Sequence, residues 1–214
     1  MDTLSLKHTL PNIFSEADIS ASEIWLKDNS FVKGQYYLIA AASGTGKSSL
    51  LSYIFGERTD YAGDIFFDTK NINSIKSAEW VNIRHHQLAF IFQGLRLFSD
   101  LTVYENIDLK NRLTGFKSHS AVKLLLEQVG IADKVNTKVR FLSFGQQQRV
   151  AIVRALCQPF DFLLMDEPFS HLDDNNIHHL SSIILSELKQ QGAGLLLTSL
   201  GLKYQFDYHS TLKL

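Results

Sequence analysis

Apolar residues along this chain of 214 residues fall into short unbroken blocks and longer stretches with helical spacing. The blocks at residues 35–40 (QYYLIA), 64–68 (DIFFD), 88–92 (LAFIF), 162–165 (FLLM) and 194–198 (GLLLT) carry the strand signal. Blocks this short, apolar almost throughout and bounded by turn residues, suit strands of a mostly parallel sheet with helices on both faces. Residues 48–55 follow the first block after a glycine-rich turn and read as a helix, which makes a strand–loop–helix unit. Between the third and fourth blocks, residues 102–157 show helical periodicity and no convincing strand, so a helical subdomain is expected there. Ile177, Leu180, Ile184 and Leu188 then share one face of a helix that must pack on the sheet. The expected fold class is α/β.

No repeat or low-complexity tract interrupts this order, and Pro11, Pro159 and Pro168 stand singly at element boundaries. One compact domain over residues 1–214 is expected, with 1–98 and 158–214 forming a core and about 99–157 the helical part. Residues 1–10 alternate polar and apolar positions without the basic start or apolar stretch of a leader, so secretion is not expected. The most apolar stretch, 192–202, is glycine-interrupted and far shorter than the roughly 20 residues that cross a bilayer, which leaves only a peripheral membrane role. The 21 basic and 22 acidic residues nearly cancel, so no strong field favours nucleic acid or an anionic surface. The single cysteine, Cys157, cannot form an internal disulfide; it fits a reducing compartment and reads as a buried thiol. The pairs His85-His86 and His178-His179 read as solvated faces rather than metal ligands, because adjacent helical residues point apart.

Chemistry concentrates in three places. Ala41-Ala42-Ser43-Gly44-Thr45-Gly46-Lys47-Ser48, followed by Ser49, matches the phosphate-loop pattern G-x-x-x-x-G-K-[ST] except at its first position. Backbone N–H groups and a helix N-terminus converge on phosphate in such a loop, so small residues are required for close approach. Lys47 suits neutralisation of β- and γ-phosphate oxygens, and the Ser48 hydroxyl suits Mg²⁺. Alanine at position 41 costs about 1–2 kcal/mol if its φ is positive and nothing otherwise. The second place is Asp166-Glu167, which follows an apolar block and therefore stands at the C-terminal edge of the sheet, where open α/β folds bind ligands. Asp166 suits a Mg²⁺ contact through water, and Glu167 can polarise an attacking water.

The third place is Leu142-Ser143-Phe144-Gly145-Gln146-Gln147-Gln148-Arg149, continued by VAIVRAL. It resembles the LSGGQ signature of the ATP-binding-cassette (ABC) ATPases and the helix after it. A helix N-terminus carrying Ser143 and Gly145 can offer hydroxyl and N–H donors to a γ-phosphate, and the resemblance implies that this phosphate belongs to a partner subunit. The remaining order agrees over nearly the whole chain. Gln93 looks like the Q-loop glutamine, Leu101-Thr102-Val103-Tyr104-Glu105-Asn106-Ile107 like the LTVxEN stretch, and Ser170-His171-Leu172-Asp173 like the D-loop. Phe14 stands where the family places an aromatic residue against adenine, although a core phenylalanine reads equally well.

The resemblance implies a P-loop NTPase cassette with an antiparallel β part, ATP and Mg²⁺ as cofactors, and Gln93 on Mg²⁺ or the attacking water. It also implies a homodimer or heterodimer of cassettes and an integral-membrane permease partner, with the chain cytoplasmic and peripheral on the inner face of the plasma membrane. The lipoprotein-releasing, macrolide-efflux and cell-division cassettes are the most similar in look. No long coiled coil separates the nucleotide motifs, as DNA-repair and chromosome-structural relatives would need. Three positions depart from the family pattern: Ala41, Phe144 for the middle signature glycine, and Ser199 where a switch histidine follows the last apolar block. Loss of one preorganised donor costs on the order of 10²–10³ in rate, so an ATPase with slow turnover, or an ATP-gated regulatory cassette, is the alternative expectation.

Overall fold

The computed structural model describes residues 1–15, 19, 21–170 and 172–214; His171 of the D-loop-like segment lies outside them. The chain begins with β1 (Thr3–Pro11), β2 (Asn29–Val32), β3 (Tyr36–Ala40), α1 (Lys47–Ile54), β4 (Tyr61–Phe67), β5 (Lys70–Asn71), α2 (Ser77–His86) and β6 (Leu88–Ile91). It continues through α3 (Val103–Asn111), α4 (His119–Gln128), α5 (Phe144–Leu156), β7 (Phe162–Asp166), α6 (Asp174–Gln191), β8 (Gly194–Ser199) and β9 (Ser210–Lys213). Five strands form one sheet in the order β6-β7-β8-β3-β9, and every neighbouring pair is parallel.

Both faces of this sheet are covered, which is why its strands lack alternation. Along β7, Leu163 and Met165 join one core with Val103, Leu125, Val150 and Leu180 from α3 to α6, whereas Phe162 and Leu164 join the other. That second core contains Leu50 and Leu51 of α1, Ile83 of α2, and Leu4, Leu6, Ile65 and Phe67 of a second sheet. β8 divides Leu195 and Leu197 from Leu196 in the same way. A strand buried on both sides has to be apolar at every position.

One sequence expectation is corrected here. The block at 64–68 does not enter the parallel sheet; it forms most of β4 in a separate antiparallel sheet ordered β2-β1-β4-β5. Only Ile65 and Phe67 are buried in that stretch, the alternation of a strand covered on one face, and the half-buried Phe66 between them hides the pattern in the sequence. β1 itself, absent from the predicted elements, has the same origin, with Leu4 and Leu6 inward. The stretch 102–157 is helical as expected, apart from short turns and one isolated bridge between Thr102 and Lys138.

An irregularity in β1 steers the chain toward the phosphate loop. Lys7 pairs with Asp64 but Leu10 with Ala62, so two residues of β1 oppose Gly63 alone. His8 adopts φ 48° and Gly63 φ 82°, and a Cβ on Gly63 would lie 2.3 Å from the His8 carbonyl oxygen. Beyond this bulge the strand ends at Pro11, whose carbonyl accepts from the Phe14 amide at 3.0 Å and so sets where Phe14 stands. Gly63→Ala is therefore expected to destabilise the chain by about 2–4 kcal/mol, combining positive φ with backbone overlap. Urea unfolding measures it, and a loss under about 0.5 kcal/mol would show that this contact does not hold the bulge.

Candidate functional site

The parallel sheet gathers the chemistry at the C-terminal ends of β3, β7 and β8. β3 runs directly into residues 41–46, and Ala41 N–H donates to the Ser199 carbonyl at 3.1 Å, which extends the β3–β8 pairing by one bond. Ala41 is not among the residues with positive φ, so the departure from glycine carries no backbone strain. Gly44 and Gly46 do adopt positive φ, 83° and 97°. Space is limited at Gly46 as well, since a Cβ there would approach Phe14 Cε2 and Trp25 Cζ2 to 3.0 Å each. Trp25 also donates from Nε1 to the Thr45 carbonyl at 3.1 Å, and Thr45 Oγ1 donates to the Ala42 carbonyl at 2.9 Å, so the loop is braced from outside and within.

Lys47 opens α1 and is only 5% exposed. Its ammonium donates to the carbonyls of Ala41 at 3.1 Å and Ala42 at 2.8 Å and lies 3.2 Å from Glu167 Oε1. The other oxygen of Glu167 accepts from Gln93 Nε2 at 3.5 Å, which joins three of the anticipated residues in one cluster. Glu167 holds φ 46°, an uncommon conformation for a residue with a side chain and of a kind that collects at functional sites. Thr198 supports both acids: its hydroxyl donates to Asp166 Oδ1 at 2.8 Å, and its carbonyl accepts the Glu167 amide at 3.2 Å.

A cleft of about 360 Å³ opens over this cluster, lined by Ser43, Gly44, Gly46, Lys47, Ser48, Ser49, Phe14, Gln93 and Glu167. A second hollow of about 480 Å³ shares Phe14, Ser43 and Gly44 with it and extends to Trp25 and Leu214. Phe14 belongs to neither apolar core; it lies over the loop between the two hollows. Ala42 and Thr45 are tied to each other within the loop, and Asp166, 4% exposed, does not line the cleft. The residues present fit a nucleotide phosphate chain with its metal. Glycines and a buried ammonium meet where phosphate needs close backbone approach and positive charge, and the Ser48 hydroxyl and Gln93 amide oxygen in the cleft, with the carboxylate of Asp166 next to Glu167 in sequence, are oxygen ligands of the kind a hard cation such as Mg²⁺ takes.

Ser199 stands at the edge of the site. It is fully buried, its hydroxyl donates to the Leu202 carbonyl at 2.7 Å and accepts from the Gly201 amide at 3.2 Å, and Leu200, 56% exposed, lines the cleft instead. Ser199 ends β8 with its hydroxyl engaged by the turn after it and does not line the cleft. Ser143, Gly145, Gln146 and Asp173 do not line the cleft either. Ser143 and Gln146 cap α5 reciprocally, and Asp173 caps α6 by accepting from the Asn176 amide at 2.9 Å. Those amide bonds, the larger cause, hold the Asp173 carboxyl below its usual range. Ser143 stays exposed at the α5 terminus, and a Cβ on Gly145 would lie 3.5 Å from Leu172.

Thr198, Trp25 and Leu200 escaped the sequence reading. Thr198 alone had a signal, a hydroxyl at the end of an otherwise apolar strand. Tyr204, on the segment after β8, also lies within reach of the Glu167 charge; burial first, and that carboxylate second, push its phenol up.

Comparison with known proteins agrees with this geometry. The ABC transporter family model matches residues 28–170. The sulfate/thiosulfate import ATP-binding protein CysA of Anthoceros angustus is 41% identical over 154 residues, 70% of this chain but only 39% of that protein's length. The lipoprotein-releasing system ATP-binding protein LolD of Saccharophagus degradans is 34% identical over 162 residues, 74% of this chain and 71% of its own. Among solved structures, the dimeric bacterial ABC transporter cassette MJ0796 superposes with a TM-score of 0.78 at 25% identity, over 92% of this chain and 88% of that one. With the family pattern matched over more than half of its length and the phosphate loop, acidic strand end and signature helix all in place, the chain belongs to the ABC transporter family.

Proposed function

We propose that this chain binds and hydrolyses ATP as one of two cassettes that drive a membrane permease. The observation that carries the reading is the Lys47–Glu167–Gln93 cluster at the mouth of a glycine-bent loop. Phosphate oxygens replace Glu167 as the partner of Lys47, and the N–H groups of the loop and of the first turn of α1, which have no intrahelical acceptor, point at the same place. Ser48, Gln93 and Asp166 hold Mg²⁺, which supplies charge neutralisation between β- and γ-phosphate oxygens. Once released from Lys47, the Glu167 carboxylate is free to orient and deprotonate water, with Gln93 beside it as a second polar group.

The exposed capping box at the head of α5 fits a second cassette, identical or related, whose γ-phosphate Ser143, Gly145 and Gln146 would cover, with Asp173 at the same seam. This reading is supported by the dimeric state of the MJ0796 cassette. No described helix is long and apolar enough to cross a membrane, so the permease is a separate chain or segment. ATP supply places the work on the cytoplasmic face of the plasma membrane, with residues 1–98 and 158–214 holding nucleotide and about 99–157 carrying the signature. No nucleic-acid partner is proposed.

Lys47→Ala is expected to raise the dissociation constant for a fluorescent ATP analogue at least about 100-fold, roughly 2.7 kcal/mol. An unchanged constant would refute the phosphate-loop assignment. Glu167→Gln keeps the nucleotide contacts but loses the base, so ATP should trap it as a dimer on size exclusion; a variant still monomeric in saturating ATP counts against self-association around nucleotide.

A second reading, slow ATP-gated signalling, is favoured by one observation: the cleft presents the aliphatic Leu200 where the family expects a donor. Leu200→His should therefore raise the single-turnover rate toward the ~10² of one oxyanion-type donor, whereas Ser199→His, directed into the turn, should not. Equal rates for Leu200→His and the parent chain would show that another group limits chemistry.

A further inference from the structure

Gln93 stands in a segment that no helix or strand holds. β6 ends at Ile91 and α3 begins at Val103, and the two residues after Gly94, Leu95 and Arg96, hold φ 56° and 49°. Consecutive left-handed residues with side chains crowd Cβ against the following carbonyl, so such a pair persists only where its surroundings hold it. Those surroundings are specific here. The guanidinium of Arg154, on α5, donates to the carbonyls of Leu95 and Arg96 at 2.7 Å each. The side chain of Arg96 is held in turn. Its guanidinium lies 3.9 Å from the centre of the Phe92 ring and donates from both terminal nitrogens to the two carboxylate oxygens of Glu57, the second at 3.0 Å. Phe92 is itself stacked on Phe90 of β6, with ring centres 3.9 Å apart.

Glu57 is built onto the far end of the phosphate helix. Beyond the last turn of α1, Gly56 turns left-handed at φ 69°, its amide donates to the Tyr53 carbonyl at 3.0 Å, and the Glu57 amide donates to that of Ser52 at 2.9 Å. This pair of bonds is a Schellman ending, which fixes the residue after the glycine against the helix. A Cβ on Gly56 would lie 2.6 Å from the Trp80 ring, so the ending is packed as well as bonded. α1 therefore carries Lys47 at its head and Glu57 just past its tail. Through Glu57 and Arg96, the helix that places the ammonium also holds the segment that places Gln93. A carboxylate paired with both arms of a guanidinium, on an aromatic face, sets an orientation as well as a distance.

We propose that Glu57 is a positioning residue for the Gln93 amide: its pair with Arg96 locks the left-handed turn and so fixes how Gln93 reaches toward Glu167 and Mg²⁺. Neither Glu57 nor Arg96 lines the phosphate cleft, so the pair acts on the chemistry through the segment it holds. The inference rests on the ATP-hydrolysing function proposed above and adds a distant residue to its machinery. Partly exposed ion pairs contribute little to global stability, and here the Arg96 side chain is 54% and that of Glu57 25% exposed. Breaking the pair should therefore loosen the segment without unfolding the chain.

The test compares Glu57→Gln with the parent chain in hydrogen exchange and in metal binding. Without nucleotide, the peptide spanning residues 92–98 should exchange at least about tenfold faster in the variant, while the urea midpoint stays the same. With ATP bound, Mn²⁺ titrated in place of Mg²⁺ and followed by electron paramagnetic resonance should bind at least about threefold more weakly, while affinity for ATP without metal is unchanged. Arg96→Gln should reproduce both shifts, and the double variant should lose no more than either single one, because the two residues act as a unit. If Glu57→Gln lowers the urea midpoint, Arg96→Lys, which keeps the charge but not the planar fork, decides by the same two measurements. Unchanged exchange, unchanged Mn²⁺ affinity or additive losses overturn the proposal and leave the nucleotide reading standing. A parent chain that binds no ATP overturns both.

Discussion

An ammonium group almost removed from water is the constraint around which the site is arranged. Burying a lone charge costs several kcal/mol even after relaxation, and Lys47 meets that cost with two loop carbonyls and the Glu167 carboxylate. The carbonyls can face inward only because the loop bends at Gly44 and Gly46, and the carboxylate reaches Lys47 only because Glu167 accepts a left-handed backbone. In the function proposed above, phosphate displaces that carboxylate and leaves it beside the water that hydrolysis consumes, so binding and activation share a single ion pair.

The scaffold makes that pair geometrically precise. β3, β7 and β8 are neighbours in a sheet covered on both faces, so the ends that carry Ala41, Asp166 and Ser199 are fixed by packing of Leu38, Leu164 and Leu196 rather than by loops. Thr198 shows how closely the strands cooperate, since one residue of β8 bonds both Asp166 at the end of β7 and Glu167 just after it. The antiparallel sheet contributes differently. Its bulge at His8 and Gly63 aims the chain so that Phe14 lies on the loop, while Trp25 braces the same loop from the other side.

α5 connects this site to the rest of the surface. Its first turn presents Ser143 to solvent, its middle packs in the core through Val150 and Val153, and near its last turn Arg154 grips the segment after Gln93. A helix of 13 residues spans roughly 20 Å at about 1.5 Å per residue, so a rigid rod links the signature to the segment after Gln93.

Sequence alone determined the parallel core, the phosphate loop, the acidic strand end and the signature helix. Each is written in contiguous residues whose spacing is the mechanism: two-sided burial demands unbroken apolar blocks, and phosphate approach demands small residues before Lys47. What the tertiary structure decided is everything that depends on which way a side chain turns or on residues far apart in the chain. The block at 64–68 left the parallel sheet because half-burial of Phe66 masks its alternation. Ser199, aligned with a switch residue by position, bonds the turn after β8, while Leu200 beside it lines the cleft, because adjacent strand residues point to opposite sides. Ala41 proved harmless because its φ stays negative, a dihedral that no residue name reveals. The pairing of Glu57 with Arg96 could not be read from two residues so far apart in sequence, since ion pairs meet in space through packing that the local pattern does not record.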